Sequence, residues 1–341
     1  MVQKSLNLLV RIPALLQKYM IFSIPTVMLL GFWVGSLTDV SALQALVVPL
    51  TFLMVYPSMV GLNFKQVVSG GDARLQWITQ SFNFLVIPVL AYLLGLWFFP
   101  ENPMLRLGLF MTGLLPTSGM TLSWTSMAKG NLPSAVKMTV IGLVAGSLLA
   151  PFYMKVVFGE SVALPLSKTL FQILVVVFIP MLLGYVTQRY LVKKHGQKTF
   201  AEQIKPKVAP WGTMGVLGVQ FVAMALKAED LMANPKLLLI LGIPMFAFYL
   251  VNFALSTWLA RYFVKRADGI AFIYGTALRN LSIALAIAMT VFGKAGSEVA
   301  LLISMGFIFQ AQMAAWHVKW IGKLLPEKSA TLLAENRLSK V

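Results

Sequence analysis

The chain alternates long apolar runs with short segments that contain glycine, proline or charged residues. Each run has about the 20 residues that an α-helix needs to cross the apolar layer of a bilayer. Residues 3–17, where Lys4 and Arg11 interrupt the apolar positions, predict an amphipathic helix at the membrane surface and not a cleavable signal peptide. The pattern predicts ten transmembrane helices, at 18–37, 42–63, 75–99, 104–128, 134–156, 165–188, 208–226, 237–263, 270–292 and 298–321.

The composition favours an all-α polytopic membrane protein. Of the 341 residues, 58% are hydrophobic and 11% are charged, whereas soluble chains have about 45–50% apolar and about 25% charged residues. Ten spans leave only short loops, so we expect no separate soluble domain. The absence of cysteine excludes disulfides and thiolate metal sites.

The net charge of +17 follows the predicted topology. With a cytoplasmic N-terminus, 21 of the 28 Lys and Arg residues fall on the cytoplasmic side and six on the other side. This bias obeys the positive-inside rule and predicts a cell-membrane protein with both termini in the cytoplasm. The charge is therefore explained by topology, the expected partner is the lipid bilayer, and nucleic-acid binding is not implied.

A basic segment from Arg189 to Lys207 divides the chain into two halves of five spans, 1–163 and 164–341. An odd number of spans inverts the second half, and inverted repeats are a common plan of secondary transporters. In each half the fourth span contains a polar interruption, at 116–119 and 275–280. These interruptions are either kinks without function or breaks that form a site at the membrane midplane. Two breaks at equivalent positions favour the site.

The charged residues at membrane depth limit the chemistry that a site inside the membrane could use. All eleven Asp and Glu residues fall in predicted loops, tails or span ends, so the usual intramembrane proton relays and sodium ligands are absent. The only cation in mid-span is Arg279, which does not neutralise in proteins. One possibility is that carbonyls freed by the broken helices, or water, accept the hydrogen bonds of Arg279. The other is that an anionic substrate pairs with Arg279, helped by the positive ends of the half-helices. We favour the substrate because the break supplies a cavity as well as carbonyls.

Two stretches of the chain resemble a known family. Residues 113–131, which include Pro116-Thr117-Ser118-Gly119 and end in Ala128-Lys129-Gly130-Asn131, and residues 278–286 resemble helices 4 and 9 of the bile acid:sodium symporter and arsenite-efflux permease superfamily. The resemblance implies a core, in which helices 4 and 9 break and cross, that moves against a panel. The core would comprise 75–156 and 237–321, and the panel 18–63 and 165–226.

This chain departs from the family motifs at the positions of the cation and metalloid ligands. Sodium-coupled members have an Asn where this chain has Leu122, and a Glu where it has Gly275. The cysteine of the arsenite permeases falls on Thr117 and their helix 9 Glu on Ser282. The resemblance therefore implies neither the family sodium site nor thiolate chemistry.

The candidate ligands come from the two breaks and from the positions that match family motifs. Asn83 in span 3, like Gln310 in span 10, either contacts substrate or bonds a neighbouring helix. No cofactor and no metal site are expected, since His195 lies in a basic loop and His317 at an interfacial span end. The predicted substrate-binding residues are Asn83, Thr117, Ser118, Thr121, Thr139, Arg279, Asn280 and Ser282.

Three classes of function follow from these residues. The favoured one is a secondary transporter of a small anion or oxyanion, such as an arsenical or an organic anion, that works by alternating access without sodium. The alternatives are a sodium-coupled organic-anion symporter and an anion channel. An intramembrane enzyme is disfavoured, because no mid-span His, Cys, Asp or Glu supplies a nucleophile or base.

Overall fold

The computed structural model describes residues 11–61, 72–162, 166–263, 265–292 and 296–326. These residues are almost entirely helical and contain no β-strand. The continuous helices are α1 Met20–Leu37, α2 Val47–Val60, α3 Ala73–Phe98, α5 Leu132–Phe158, α6 Thr169–His195, α7 Gln197–Ala225, α8 Leu237–Ala260 and α10 Gly296–Leu324. Two helices are broken, into α4a Pro103–Leu114 and α4b Gly119–Met127, and into α9a Arg266–Ala277 and α9b Leu281–Val291.

The helices confirm an all-α polytopic membrane architecture. Among the described residues, seven helices are long and apolar enough to cross a bilayer, and an eighth qualifies if α1 is joined to the preceding helix Arg11–Lys18, from which it is bent by 103°. The predicted number of ten requires each broken helix to cross the membrane as one span. That number stays a prediction.

The prediction of a loop in the basic segment between the two halves is wrong. α6 continues to His195 and α7 begins at Gln197, so the only turn is at Gly196, whose φ of 82° suits glycine. Lys193 and Lys194 occupy the last turn of α6, where positive side chains are favoured by the helix dipole. Residues 3–10 of the predicted surface helix, the predicted span ends at 62–63 and 165, and the predicted cytoplasmic tail at 327–341 lie outside the described residues.

Helices α1, α2 and α7 approach each other closely through glycine. A Cβ on Gly35 of α1 would overlap the backbone of Ala225 on α7, and a Cβ on Gly215 of α7 would overlap the backbone of Met54 on α2. Small residues at such contacts let membrane helices pack backbone to backbone. These contacts join three of the four helices assigned to the predicted panel, while the division into panel and core stays a proposal.

A buried ion pair joins the start of α3 to α5. Lys137 Nζ lies 2.6 Å from Asp72 Oδ1, and Ser134 and Gln76 also donate hydrogen bonds to this carboxylate. Burial raises the pKa of Asp72, but the hydrogen bonds from Lys137, Ser134 and Gln76 outweigh this and hold it below its usual value of 3.8. Asp72 is therefore ionised at neutral pH and fixes the base of α3 against α5.

Candidate functional site

The breaks in α4 and α9 cross and bond to each other. Thr117 N–H donates to Leu278 O at 3.0 Å and Asn280 N–H donates to Leu115 O at 2.8 Å, which makes a short antiparallel bridge. Thr117 has a φ of 58°, which a β-branched residue rarely adopts. The bridge satisfies backbone groups that a helix break would leave without partners inside a membrane.

Two glycines of α5 make room for the crossing. A Cβ on Gly142 would lie 2.9 Å from Thr117 Oγ1, and one on Gly146 would lie 2.9 Å from Pro116 Cδ. Both distances are shorter than ordinary van der Waals contact. The break of α4 can therefore lie against α5 only because these two positions lack side chains.

The guanidinium of Arg279 is fully buried and bonded by protein groups. Nη1 donates to Asn83 Oδ1 at 2.6 Å and to Thr276 O at 3.1 Å, and Nη2 donates to Gly113 O. Thr276 and Gly113 lie in the last turns of α9a and α4a, whose final carbonyls lack helical partners. Arg279 thus bonds the carboxyl ends of both half-helices.

The electrostatics of the crossing favour a structural role for Arg279. Each helix carboxyl end carries about −0.5 elementary charge, so two ends offset about one positive charge. No carboxylate among the described residues pairs with Arg279. Of the two roles predicted for this residue, the contacts favour satisfaction by freed carbonyls, although the residue's part in substrate binding stays untested.

The break of α9 begins later than predicted. Residues 275–277 continue α9a, because side chains from other helices bond their carbonyls. Asn83 Nδ2 donates to Gly275 O at 3.0 Å, and Asn252 Nδ2 lies 3.3 Å from Thr276 O and 3.4 Å from Ala277 O. Asn83 therefore bonds a neighbouring helix, which is one of the two roles predicted for it.

The amino ends of α4b and α9b meet on the other side of the crossing. Asn280 Oδ1 accepts from Ile283 N–H at 3.2 Å, and Ser118 N–H donates to Thr121 Oγ1 at 3.2 Å. Both ends border a cavity of about 70 Å³. Its wall consists of Ser118 and Gly119 from α4, Asn280, Ser282 and Ile283 from α9, Thr139 and Leu143 from α5, and Met54, Val55, Ser58 and Met59 from α2.

Half of the predicted binding residues line this cavity. They are Ser118, Thr139, Asn280 and Ser282. The other four lie in the surrounding structure, since Asn83 and Arg279 bond helix ends, Thr121 accepts from the Ser118 backbone, and the Thr117 hydroxyl donates to Pro116 O at 2.7 Å.

Sequence reasoning missed the contribution of α2 to the site. Ser58 and its neighbours on α2 line the cavity, but nothing in their pattern distinguishes them from other residues of an apolar span. Gln310 on α10 accepts from Arg279 N–H at 2.7 Å and from the Tyr249 hydroxyl at 3.1 Å. Gln310 therefore bonds neighbouring helices, which is one of the two roles predicted for it.

His317, which the sequence places near one end of span 10, is buried between helices. It is 8% exposed, and its ring nitrogens lie 2.8 Å from Thr257 Oγ1 and 3.1 Å from the Tyr274 hydroxyl oxygen. These bonds tie α10 to α8 and α9a. Its surroundings are those of a helix-packing residue.

The chemistry of the cavity suits a small anion. Among the described residues no ionisable side chain lines it. Its wall is formed in part by two helix amino ends, the hydroxyl groups of three Ser and one Thr, and the Asn280 amide. Helix amino ends bind anions through free N–H groups and the helix dipole. About 70 Å³ holds a few water molecules, well below the roughly 300–1,000 Å³ of pockets for drug-sized ligands.

Comparison with known proteins agrees with this geometry. The chain is 23% identical over 303 residues to the arsenical-resistance protein Acr3 of Corynebacterium glutamicum, covering 84% of this chain and 81% of that one. It is 24% identical to Acr3 of Alkaliphilus metalliredigens, covering 74% and 75%, and 25% identical to sodium/bile acid cotransporter 7 of Xenopus tropicalis, covering 68% and 67%. The model of the sodium bile acid symporter family matches residues 48–234. Because that match spans more than half of a chain with crossed, broken helices, the chain belongs to the sodium bile acid symporter family.

Proposed function

We propose that this protein is a secondary transporter that carries a small anion or oxyanion across the cell membrane by alternating access. The observation that carries the proposal is the convergence of the α4b and α9b amino ends on one polar cavity. Discontinuous helices aim such ends at anionic substrates in other secondary transporters. Both termini are assigned to the cytoplasm from the distribution of Lys and Arg.

The charge of the site favours a monovalent anion. Two helix amino ends supply about +0.5 elementary charge each. Arg279 does not line the cavity, and the carboxyl ends of α4a and α9a offset its charge. The site therefore presents a positive potential, and N–H and O–H donors to orient oxygen atoms.

Size and similarity favour an arsenical or a small carboxylate as substrate. The cavity of about 70 Å³ is too small for a steroid-sized molecule in this conformation. Relatives named for arsenical resistance cover most of this chain. Because no cysteine is available, an arsenical would bind through hydroxyl and N–H donors and not through sulfur.

Alternating access fits the position of the cavity. One wall is α2 of the proposed panel, and the others are α4b, α5 and α9b of the proposed core. The bridge at Pro116 and Arg279 ties the two broken helices together, so both amino ends would move as a unit. Displacement of the core against α2 would carry the anion along with the two amino ends.

A sodium-coupled organic-anion symporter is the second candidate, supported by the similarity to a sodium/bile acid cotransporter. It is disfavoured because no carboxylate lines the cavity and because Leu122 and Gly275 replace ligands of sodium-coupled members. An anion channel differs from both, because its flux does not saturate and does not run against the electrochemical gradient of the anion.

Uptake into proteoliposomes tests the proposal. Arsenate, arsenite and small carboxylates are offered with sodium or with choline, and we expect saturable uptake of at least one anion in both. Gly119→Leu should abolish this uptake, because a side chain there meets no other atom within 4 Å and enters the cavity. Gly322→Leu is the matched control, since its side chain also meets open space but lies far along α10. Unsaturable flux, strictly sodium-dependent flux, or full activity of Gly119→Leu would overturn the proposal.

A further inference from the structure

A second space of about 500 Å³ separates the ends of the same helices. The end of α2 and the beginning of α7 form one side, and α4b with the beginning of α5 forms the other. We call this space the crevice. By the positive-inside assignment these helix ends lie on the cytoplasmic side.

The crevice lies close to the cavity, on its cytoplasmic side. Three residues along a helix correspond to about 4.5 Å, less than one turn. Three helices line both spaces with residues spaced three apart, namely Ser58 and Gly61 on α2, Gly119 and Leu122 on α4b, and Thr139 and Val136 on α5. An ion in the crevice is therefore within about one helical turn of the cavity.

Among the residues that the structure describes, Lys205 is the one charged residue that lines the crevice. It is half-buried on α7, and its stem lies against the end of α2, where a Cβ on Gly61 would be 3.3 Å from Lys205 Cε. It makes no ion pair with the residues that the structure describes, and Glu202, three residues earlier, is exposed and does not pair with it. The remaining polar wall residues, such as Ser123, are neutral.

We propose that Lys205 draws anions from the cytoplasm into the crevice and makes this entrance selective for negative charge. The inference rests on the proposed function and adds a specificity-determining residue outside the substrate cavity. A charge between low-dielectric walls attracts an anion more strongly than the same charge on an open surface. Lys198 and Lys207 are exposed on the same helix and are screened by water.

Single-thiol labelling tests the local charge without requiring transport. The chain has no cysteine, so Ser126→Cys, on the crevice wall, introduces one reactive group. Its reaction rates with an anionic sulfonatoethyl and a cationic trimethylammonioethyl methanethiosulfonate are compared in inside-out vesicles. Because Ser126 and Lys205 line the same space, we expect Lys205→Gln to lower the anion-to-cation rate ratio by about threefold or more. Lys205→Arg should restore the ratio, and Lys207→Gln should leave it unchanged.

Transport measurements separate this inference from the proposed function. With the protein oriented in proteoliposomes, Lys205→Gln should raise the KM for arsenate offered on the cytoplasmic side several-fold and leave kcat unchanged. Uptake of arsenite, which is uncharged at neutral pH, should not change. If no anion is transported while the labelling ratio depends on Lys205, the proposed function fails. If wild-type transport is intact but Lys205→Gln leaves the ratio unchanged, or Lys207→Gln lowers it equally, the inference about Lys205 is wrong.

Discussion

Replacing Arg279 by glutamine should destabilise the crossing of α4 and α9. The substitution removes the donors to Gly113 O, Thr276 O and Asn83 Oδ1. Thr276 O keeps a donor in Asn252 Nδ2, whereas Gly113 O and Asn83 Oδ1 lose theirs. A buried acceptor left without a donor costs about 1–3 kcal/mol, so two acceptors cost about 4 kcal/mol. Removing a positive charge from membrane depth returns about 2.5–3.5 kcal/mol. The net expected loss of folding free energy is therefore about 1 kcal/mol.

Thermal melting of purified variants measures this loss. Arg279→Gln should melt about 2 °C below wild type, and Arg279→Lys should also be destabilised because an ammonium lacks the planar fork that reaches both helix ends. Arg189→Gln, which changes an exposed arginine on α6, is the control and should melt with wild type. Anion binding is measured on the same samples, per folded molecule. A glutamine variant that melts at or above the wild-type temperature but no longer binds an anion would refute a structural role and assign the guanidinium to the substrate.

Three further predictions concern coupling, packing and pH. Replacing sodium by choline at constant potential and pH should leave anion affinity and flux unchanged, and a large loss in choline would reveal a sodium site in other groups. Gly146→Val should lower the melting temperature sharply, because its side chain would overlap Pro116, whereas Gly322→Val should not, and equal melting of the two variants would contradict the close approach of α5. Asp72→Asn removes the carboxylate that faces the buried Lys137 ammonium and should cost about 1–3 kcal/mol at neutral pH, because Asp72 itself is only partly buried. Because the folded-state pKa of Asp72 is lowered, its stabilisation is present above its usual pKa of 3.8 and is lost as the pH falls through the lower folded value. Chemical denaturation of wild type and Asp72→Asn should converge only below about pH 4, and convergence near neutral pH would contradict this assignment.

Hydropathy predicted the helices well because the bilayer determines their length and composition. The span predicted at 237–263 is α8, Leu237–Ala260, and the break predicted at 116–119 lies at 115–118. Proline, glycine and hydroxyl residues mark a break locally. Four of the eight predicted ligands reach the cavity because they flank such breaks or face them from α5.

The partners of Arg279 were beyond prediction because they are remote in sequence. Asn83 and Gly113 lie 196 and 166 residues away from it, and Gln310 lies 31 residues away. A lone mid-span arginine has the same local sequence whether a substrate or a protein carbonyl accepts its hydrogen bonds. Only the packing of α3, α4a and α10 around the break distinguishes the two.

The buried charge of Arg279 makes the proposed transport cycle sensitive to membrane voltage. Helix dipoles carry no net charge, so an empty core would move one positive charge, whereas a core loaded with a monovalent anion would move none. One elementary charge crossing the whole field is worth about 2.3 kcal/mol per 100 mV, and a partial displacement is worth the corresponding fraction. In a cell with a negative interior, the empty core would therefore be held facing the cytoplasm. Voltage would act on the return step and favour export of the anion.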